Sequence, residues 1–536
     1  MSATQIALDV KGTGVEAPVP KRKRSAFTEN GMAQEVEARK AEIKALYLES
    51  HTPMIVGWSG GKDSTATLQL VWSAIQELDS ADLTTPVHVI STDTLVENPV
   101  IAAYVAQALE KMNAAAKEQG LPIEGHRLTP KLEDRFFSML IGRGYASPRP
   151  KFRWCTERLK IRPSNEFITR VVQSAGEVIL VLGTRKAEST ARAKAMDRHE
   201  KGRVRDRLSP NASLPNSSVY SPIEDWTDDD VWIYLMQAGR VNPFGLDNHD
   251  LLTLYQGATE DGECPLVVDS TTPSCGDSRF GCWTCTLVSQ DKSMSAMIQN
   301  DEQKEWMLPL LEIRNALDAT DPETGLRDDY DKRDFRRMNG RLHLFHPTEP
   351  TEGDEQRETL VHGPYLQSAR EEWLRLVLTA QMKVREIGPE YVRNIELISI
   401  EELEYCREQW VEFHGEFEDT LPGIYEEIVG EPFPGKSRDD HMALGSEEVA
   451  LLREICGEDV EHFRMVRELL SIERRNRSKV RRAGLFDELE AAITKGSFDN
   501  EEDALEHALA KRKALAATER QPAQPGTQTA LPITPA

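Results

Sequence analysis

No run of about 18 consecutive apolar residues occurs in the chain, which removes a transmembrane helix. No charged stretch leads into an apolar one near the start, so no secretory signal is visible. The expected location is cytoplasmic, with no membrane attachment. No internal repeat is evident. Basic residues are in the minority: 65 lysines and arginines stand against 89 aspartates and glutamates, a net charge of −24. That average repels phosphate and counts against nucleic-acid binding. Cysteine is sparse, at seven residues. Without a secretory signal, seven cysteines do not suggest a disulfide framework.

What is present suffices for two or three domains, with 536 residues of which 39% are hydrophobic. Residues 1–31 show little periodicity and include Lys21-Arg22-Lys23-Arg24, so they read as a disordered basic tail. Residues 516–536 read as a second disordered tail. Residues 32–245 alternate strands with helices. Met54-Ile55-Val56-Gly57-Trp58 is a short apolar run, as a buried parallel strand requires. Residues 64–78 carry Leu68, Val71, Trp72, Ile75 and Leu78 at helical spacing. Val87–Ile90 is a second strand, followed by Asp93 and a helix opened by Asn98-Pro99. Val178–Leu182 is a third. The fold class expected is α/β, a doubly wound parallel sheet whose ligand sits beyond the carboxyl ends of the strands. Residues 246–300 hold a cysteine cluster. Residues 301–515 form a mainly helical, acidic C-terminal domain, with Leu366, Trp373, Leu374, Val377, Leu378 and Val384 on one helix face.

Ser59-Gly60-Gly61-Lys62-Asp63-Ser64 falls between the first strand and its helix. Two glycines let backbone approach a ligand, and a helix N-terminus presents free N–H groups to an anion. Lys62 adds a point charge, and Ser59 and Ser64 add hydroxyls. The loop is not a Walker A motif, which needs four residues between its glycine and Gly-Lys. It resembles the pyrophosphate (PP) loop of the N-type ATP pyrophosphatases, which include adenylyl-sulfate reductases and tRNA thiolases. The resemblance implies ATP cleaved between its α and β phosphates, with Lys62 and Asp63 catalytic. It also implies an acidic residue near the nucleotide or its Mg²⁺, at Asp93. Gly183-Thr184-Arg185-Lys186-Ala187-Glu188-Ser189-Thr190-Ala191-Arg192 is similar to the reductase-branch pattern in which arginines grip phosphate or sulfate. Arg185 and Arg192 suit that role because guanidinium binds such groups bidentately, and the resemblance makes Arg185 catalytic as well.

Cys264, Cys275, Cys282 and Cys285 lie within 22 residues. Four thiolates suit either zinc or an iron–sulfur cluster, and the spacing leaves the choice open. Cys155 stands in a different setting. Residues 142–162 carry seven bases and one acid. Positive surroundings lower a thiol pKa and favour a reactive thiolate. Cys406 and Cys456 read as packing residues.

Trp154-Cys155-Thr156-Glu157-Arg158, with Phe280-Gly281-Cys282-Trp283-Thr284-Cys285-Thr286 and Asp291-Lys292-Ser293-Met294, resembles the DndC family of DNA phosphorothioation sulfurtransferases. That resemblance spans about residues 35–300. It implies a [4Fe–4S] cluster on Cys264, Cys275, Cys282 and Cys285, and a sulfur-carrying Cys155. It also implies DNA as substrate, a cysteine desulfurase as sulfur donor, and DndD and DndE as partners. The reductase branch places a Cys-Cys pair where this chain has Cys155 alone. A phosphoadenylyl-sulfate (PAPS) or adenylyl-sulfate (APS) reductase-like enzyme, a tRNA-thiolating enzyme and a non-catalytic iron–sulfur DNA-binding subunit are the alternatives.

Charge is unevenly distributed, which narrows the objection to DNA. Residues 185–207 hold nine bases against four acids, and residues 474–482 hold six bases. Residues 401–431 hold eleven acids and one base. The expectation is a DNA contact confined to one basic face, with the acidic segment docking a basic partner or keeping DNA in a single channel.

Overall fold

The computed structural model describes residues 24–200, 207–211, 214–259, 280–321, 329–345, 358–435, 446–477, 482 and 484–519. Among them, no helix is long and apolar enough to cross a membrane.

Six strands form one sheet: β1 (Met54–Gly57), β2 (Val87–Thr92), β3 (Ile123–Leu128), β4 (Val178–Val181), β5 (Ser209–Pro210) and β6 (Ser217–Tyr220). Their order is β3-β2-β1-β4-β6-β5, and every pairing is parallel except β5 with β6. The chain runs outward from β1 to β2 and β3, then returns to β1's other side as β4. This reversal is the switch point at which doubly wound sheets bind ligands.

Side chains alternate across the sheet, so each strand feeds two cores. Met54, Val56, Val87, Val89, Ile179 and Val181 face helices α1 (Gly31–Ser50), α2 (Lys62–Gln76) and α3 (Pro99–Gln119). Ile55, Ile90, Val178 and Leu180 face Phe167 and Ile168 of α4 (Arg162–Ala175). Burial on both sides explains why β4 is apolar at all four positions. The Asn98 side chain accepts a hydrogen bond from the Val100 N–H at 3.0 Å, with Pro99 in the first turn of α3, as the dipeptide predicts.

Part of each expected tail is structured. Ala26 N donates to Asp230 Oδ2 at 3.0 Å, and Phe27 meets Trp226 edge-on at 5.1 Å. A C-terminal helix, Glu501–Glu519, continues past residue 516.

The third core joins the two halves of the chain. Phe136, Phe137, Met139, Leu140, Ile141 and Trp154 pack with Trp306, Trp373, Leu374, Val377 and Trp410. A single turn of π-helix, Ser138–Gly142, places Gly142 against Cys406, where a Cβ would lie 3.2 Å from the sulfur. Cys406 is fully buried and packs there, as expected. Cys456 packs beside Val411, Phe417, Val449 and Phe463.

Part of the acidic segment 401–431 is paired with arginines within the fold. Glu416 pairs with Arg370, Asp419 with Arg407, Glu418 with Arg453 and Arg467, and Glu412 with Arg474. The free docking strip expected from its composition is therefore absent at these residues.

Candidate active site

Ser59–Ser64 leaves β1 and enters α2. Gly60 has φ +78°, and a Cβ there would lie 2.8 Å from Val105 Cγ2, so glycine is required on both counts. Ser59 N donates to Ser64 Oγ at 3.2 Å, and Ser64 Oγ donates to Gly61 O at 3.0 Å. The loop is thus braced internally while its helix end faces a cavity of about 1090 Å³. That cavity lies at the carboxyl ends of β1, β2 and β4, and Asp93, Glu97, Lys160, Arg185 and Phe280 complete its wall.

Four charges underlie the loop, with Lys62 and Arg185 buried and Asp63 and Asp228 half-buried. Lys62 Nζ is 3.4 Å from Asp228 Oδ1 and 3.8 Å from Asp63 Oδ2. Arg185 Nε is 2.8 Å from Asp63 Oδ1, and its other end pairs with Asp228. Burial opposes the charge on Lys62, but Asp63 and Asp228 more than offset it and hold its pKa above the ordinary lysine range. Burial likewise resists the charge on Asp228, and Lys62 with Arg185 overcome it, holding the carboxyl below its ordinary range. The Arg185 side chain is only 2% exposed, and its Nη1 also donates to Trp226 O at 3.3 Å. Its guanidinium is therefore engaged with protein, where the sequence pattern suggested a grip on phosphate. Arg192 lies in a helix, Thr190–Glu200, but its side chain falls outside the described residues.

Asp228, Tyr255 and Glu97 belong to this site without appearing among the expected residues. Asp228 opens the helix Asp228–Gln237, whose Thr227–Asp230 capping box is a local signal that fixes where it starts. Tyr255 Oη accepts the Lys62 N–H at 3.2 Å, and Lys62 Nζ lies 5.4 Å from the ring centroid. Nothing within the loop announces a tyrosine so far along the chain. Asp93 lies in the cavity wall, where it accepts from Leu95 N at 2.8 Å and from Arg127 Nε at 2.9 Å.

Gly183 ends β4 against the loop. A Cβ there would lie 2.7 Å from Asp63 O and 3.0 Å from Ser64 N. Gly183→Ala is expected to cost about 1–3 kcal/mol through overpacking, read as a lower urea midpoint. An unchanged midpoint would contradict this close approach.

Cys282 lies behind the Glu97 side of the same cavity, with Cys285 three residues further along the chain. Trp283 N donates to Val96 O at 2.9 Å and Asn98 N to Gly281 O at 3.3 Å, so the segment clamps onto the loop after β2. Cys282 Sγ is 3.4 Å from Thr94 Oγ1 and 3.7 Å from Glu97 Oε1. Lys160 Nζ is 3.2 Å from that same Glu97 oxygen. Burial, with Glu97 adding to it, pushes the Cys282 thiol up to about 12. A metal ion bound there would supply the positive charge that makes it a thiolate ligand. Thiols of this kind fit zinc or an iron–sulfur cluster by donor chemistry. Cys264 and Cys275 lie outside the described residues.

Cys155 corrects an expectation. Its thiol pKa is raised, first by burial and then by nearby Cys285. The basic residues that should have lowered it are engaged elsewhere. Arg158 and Arg162 pair with Asp134, Arg149 with Asp318, and Lys160 with Glu97. Positive charge near in sequence is not delivered to the sulfur. The run 474–482 behaves similarly where it is described: Arg474 pairs with Glu412 and Arg475 Nη1 donates to Glu412 O.

Residues 53–287 match the family model described as phosphoadenosine phosphosulfate reductase domain. A curated but uncharacterised protein of Methanocaldococcus jannaschii is 26% identical over 198 residues, which cover 36% of this chain and 34% of that protein. The match thus spans about a third of the relative's length. Among solved structures, the U34-tRNA thiolase of Methanococcus maripaludis with its [4Fe–4S] cluster is 12% identical with a TM-score of 0.26, covering 54% of this chain and 78% of that one. Candida glabrata FMN adenylyltransferase with FAD and inorganic pyrophosphate is also 12% identical with a TM-score of 0.26, covering 57% and 83%. Residues 53–287 are thus similar to a phosphoadenosine phosphosulfate reductase domain, and the strand order and the loop after β1 are those of a PP-loop-like fold.

Proposed function

We propose that this chain is an ATP-dependent sulfurtransferase that adenylates a DNA backbone phosphate and replaces a non-bridging oxygen with sulfur. The observation that carries the proposal is a shared cleft. The phosphate loop lies at one side of it, and Cys282 is reached through Lys160 and Glu97 at the other. A phosphate activated at the loop is then close to a sulfur-handling group.

In this reading a non-bridging DNA oxygen attacks the α-phosphorus of ATP, and pyrophosphate leaves toward the N-terminus of α2. Lys62 and the helix N–H groups carry its charge. The terminal sulfur of a persulfide on Cys155 then attacks the adenylated phosphorus and displaces AMP, and a thiol reductant cleaves the resulting P–S–S–Cys bond to leave the phosphorothioate and the free Cys155 thiol. Asp93 and the nucleotide's phosphates are the hard oxygen donors that would hold Mg²⁺. Cys264, Cys275, Cys282 and Cys285 would hold a [4Fe–4S] cluster, which would supply a binding position for sulfur or brace the cleft. Cys155, beside Cys285, would receive sulfur from a cysteine desulfurase. Lys151 and Arg153 remain exposed and would contact the DNA backbone. DndD- and DndE-like proteins would complete the assembly.

The test supplies sulfur-35 cysteine, a desulfurase, ATP and these partners, with either DNA or tRNA. Label in DNA with matching pyrophosphate release is expected. Label confined to tRNA would instead identify a thiolase. Reduction of adenylyl sulfate would identify a reductase, and ATP binding without pyrophosphate release would identify a non-catalytic subunit.

A further inference from the structure

We propose a second metal site, for a divalent ion of the zinc class, formed by His88, Glu124 and His126 and separate from the cysteine cluster. His88 lies on β2, and Glu124 and His126 lie on β3. The register pairs His88 with Glu124 and Ile90 with His126. Side-chain alternation therefore puts all three on one sheet face. Their ligand atoms lie within 4.8 Å of one another.

The separations suit a single ion. His88 Nδ1 and His126 Nε2 are 3.0 Å apart, and His126 Nε2 is 3.7 Å from Glu124 Oε2. Tetrahedral zinc with bonds of about 2.0–2.1 Å sets its ligand atoms roughly 3.3 Å apart, so opening the histidine pair by a few tenths of an ångström makes room. Without an ion, one ring must donate its N–H to the other. With one, both rings present lone pairs to the metal. Two imidazoles and one carboxylate select a borderline ion such as Zn²⁺ over Mg²⁺. Phe167 packs against both rings, with centroids 5.5 and 4.8 Å away, and fixes their orientation. Arg170 weakens the field for a cation at His126, and Glu124 opposes it.

The site would tie edge strand β3 to β2, upstream of the Asp93–Arg127 pair at the cavity wall. The full chain, with its cysteine cluster loaded as isolated, is titrated with Zn²⁺ alone against a chromophoric chelator. The wild type is expected to take up one equivalent more than His88→Gln/His126→Gln, and Zn²⁺ should raise the Tm of the wild type only. Glu124 is exposed, so Glu124→Ala should leave the fold intact while weakening that equivalent more than about tenfold. Identical stoichiometry in the wild type and the double variant, or unchanged affinity in Glu124→Ala, would overturn the proposal.

Discussion

Lys62→Ala is expected to lower the rate of pyrophosphate release by roughly 10²–10³-fold at saturating ATP. Lys62 is the only lysine or arginine in the Ser59–Ser64 loop. Its ammonium is held in place by Asp63, Asp228 and the Tyr255 ring. Charge positioned before the reaction needs no reorganisation when pyrophosphate leaves, which is why one such group is worth several kcal/mol. Backbone N–H groups at the start of α2 remain in the variant, so ATP affinity should fall less than turnover. Separate measurements of ATP Kd and single-turnover pyrophosphate release distinguish the two effects. Turnover at the wild-type level would place the developing charge elsewhere and remove the catalytic assignment of Lys62.

The central strands were legible in the sequence because burial on both faces forces continuous apolar runs, as in β1 and β4. β3 was not, since Ile-Glu-Gly-His-Arg-Leu is an edge strand with exposed polar positions and an internal glycine. β6 reads Ser-Ser-Val-Tyr and lacks the apolar signal altogether. The phosphate loop was legible because its chemistry is contiguous. Asp228 and Tyr255 reach it only through the tertiary fold, and no spacing rule connects them to Lys62. Charge counting failed at Cys155 and over 401–431 for one shared reason. A run of like charge describes the chain, whereas the field at an atom depends on where the counter-ions fold. Asp134, Asp318 and Glu97 pair with four of the seven bases around Cys155, and five arginines, Arg370, Arg407, Arg453, Arg467 and Arg474, pair with four of the acids in 401–431.

Arg185→Ala is expected to destabilise the protein by about 1.5–3 kcal/mol, because it removes a buried guanidinium from two half-buried carboxylates. With Arg185 gone, Asp63 and Asp228 share Lys62 alone, and both carboxylates lose a charge-assisted contact. The loop should loosen with them, since Asp63 sits in the first turn of α2. The variant should therefore show a lower denaturant midpoint together with weaker ATP binding. Adding Asp228→Asn to Arg185→Ala removes the stranded charge and should restore part of the midpoint, a coupling of about 0.5–3 kcal/mol. An arginine that gripped phosphate directly would behave differently. Its loss would weaken ATP binding while leaving the midpoint of the nucleotide-free protein in place, and Asp228→Asn would rescue nothing. The double-mutant cycle in the absence of ATP therefore separates an arginine that orders the loop's carboxylates from one that holds the nucleotide.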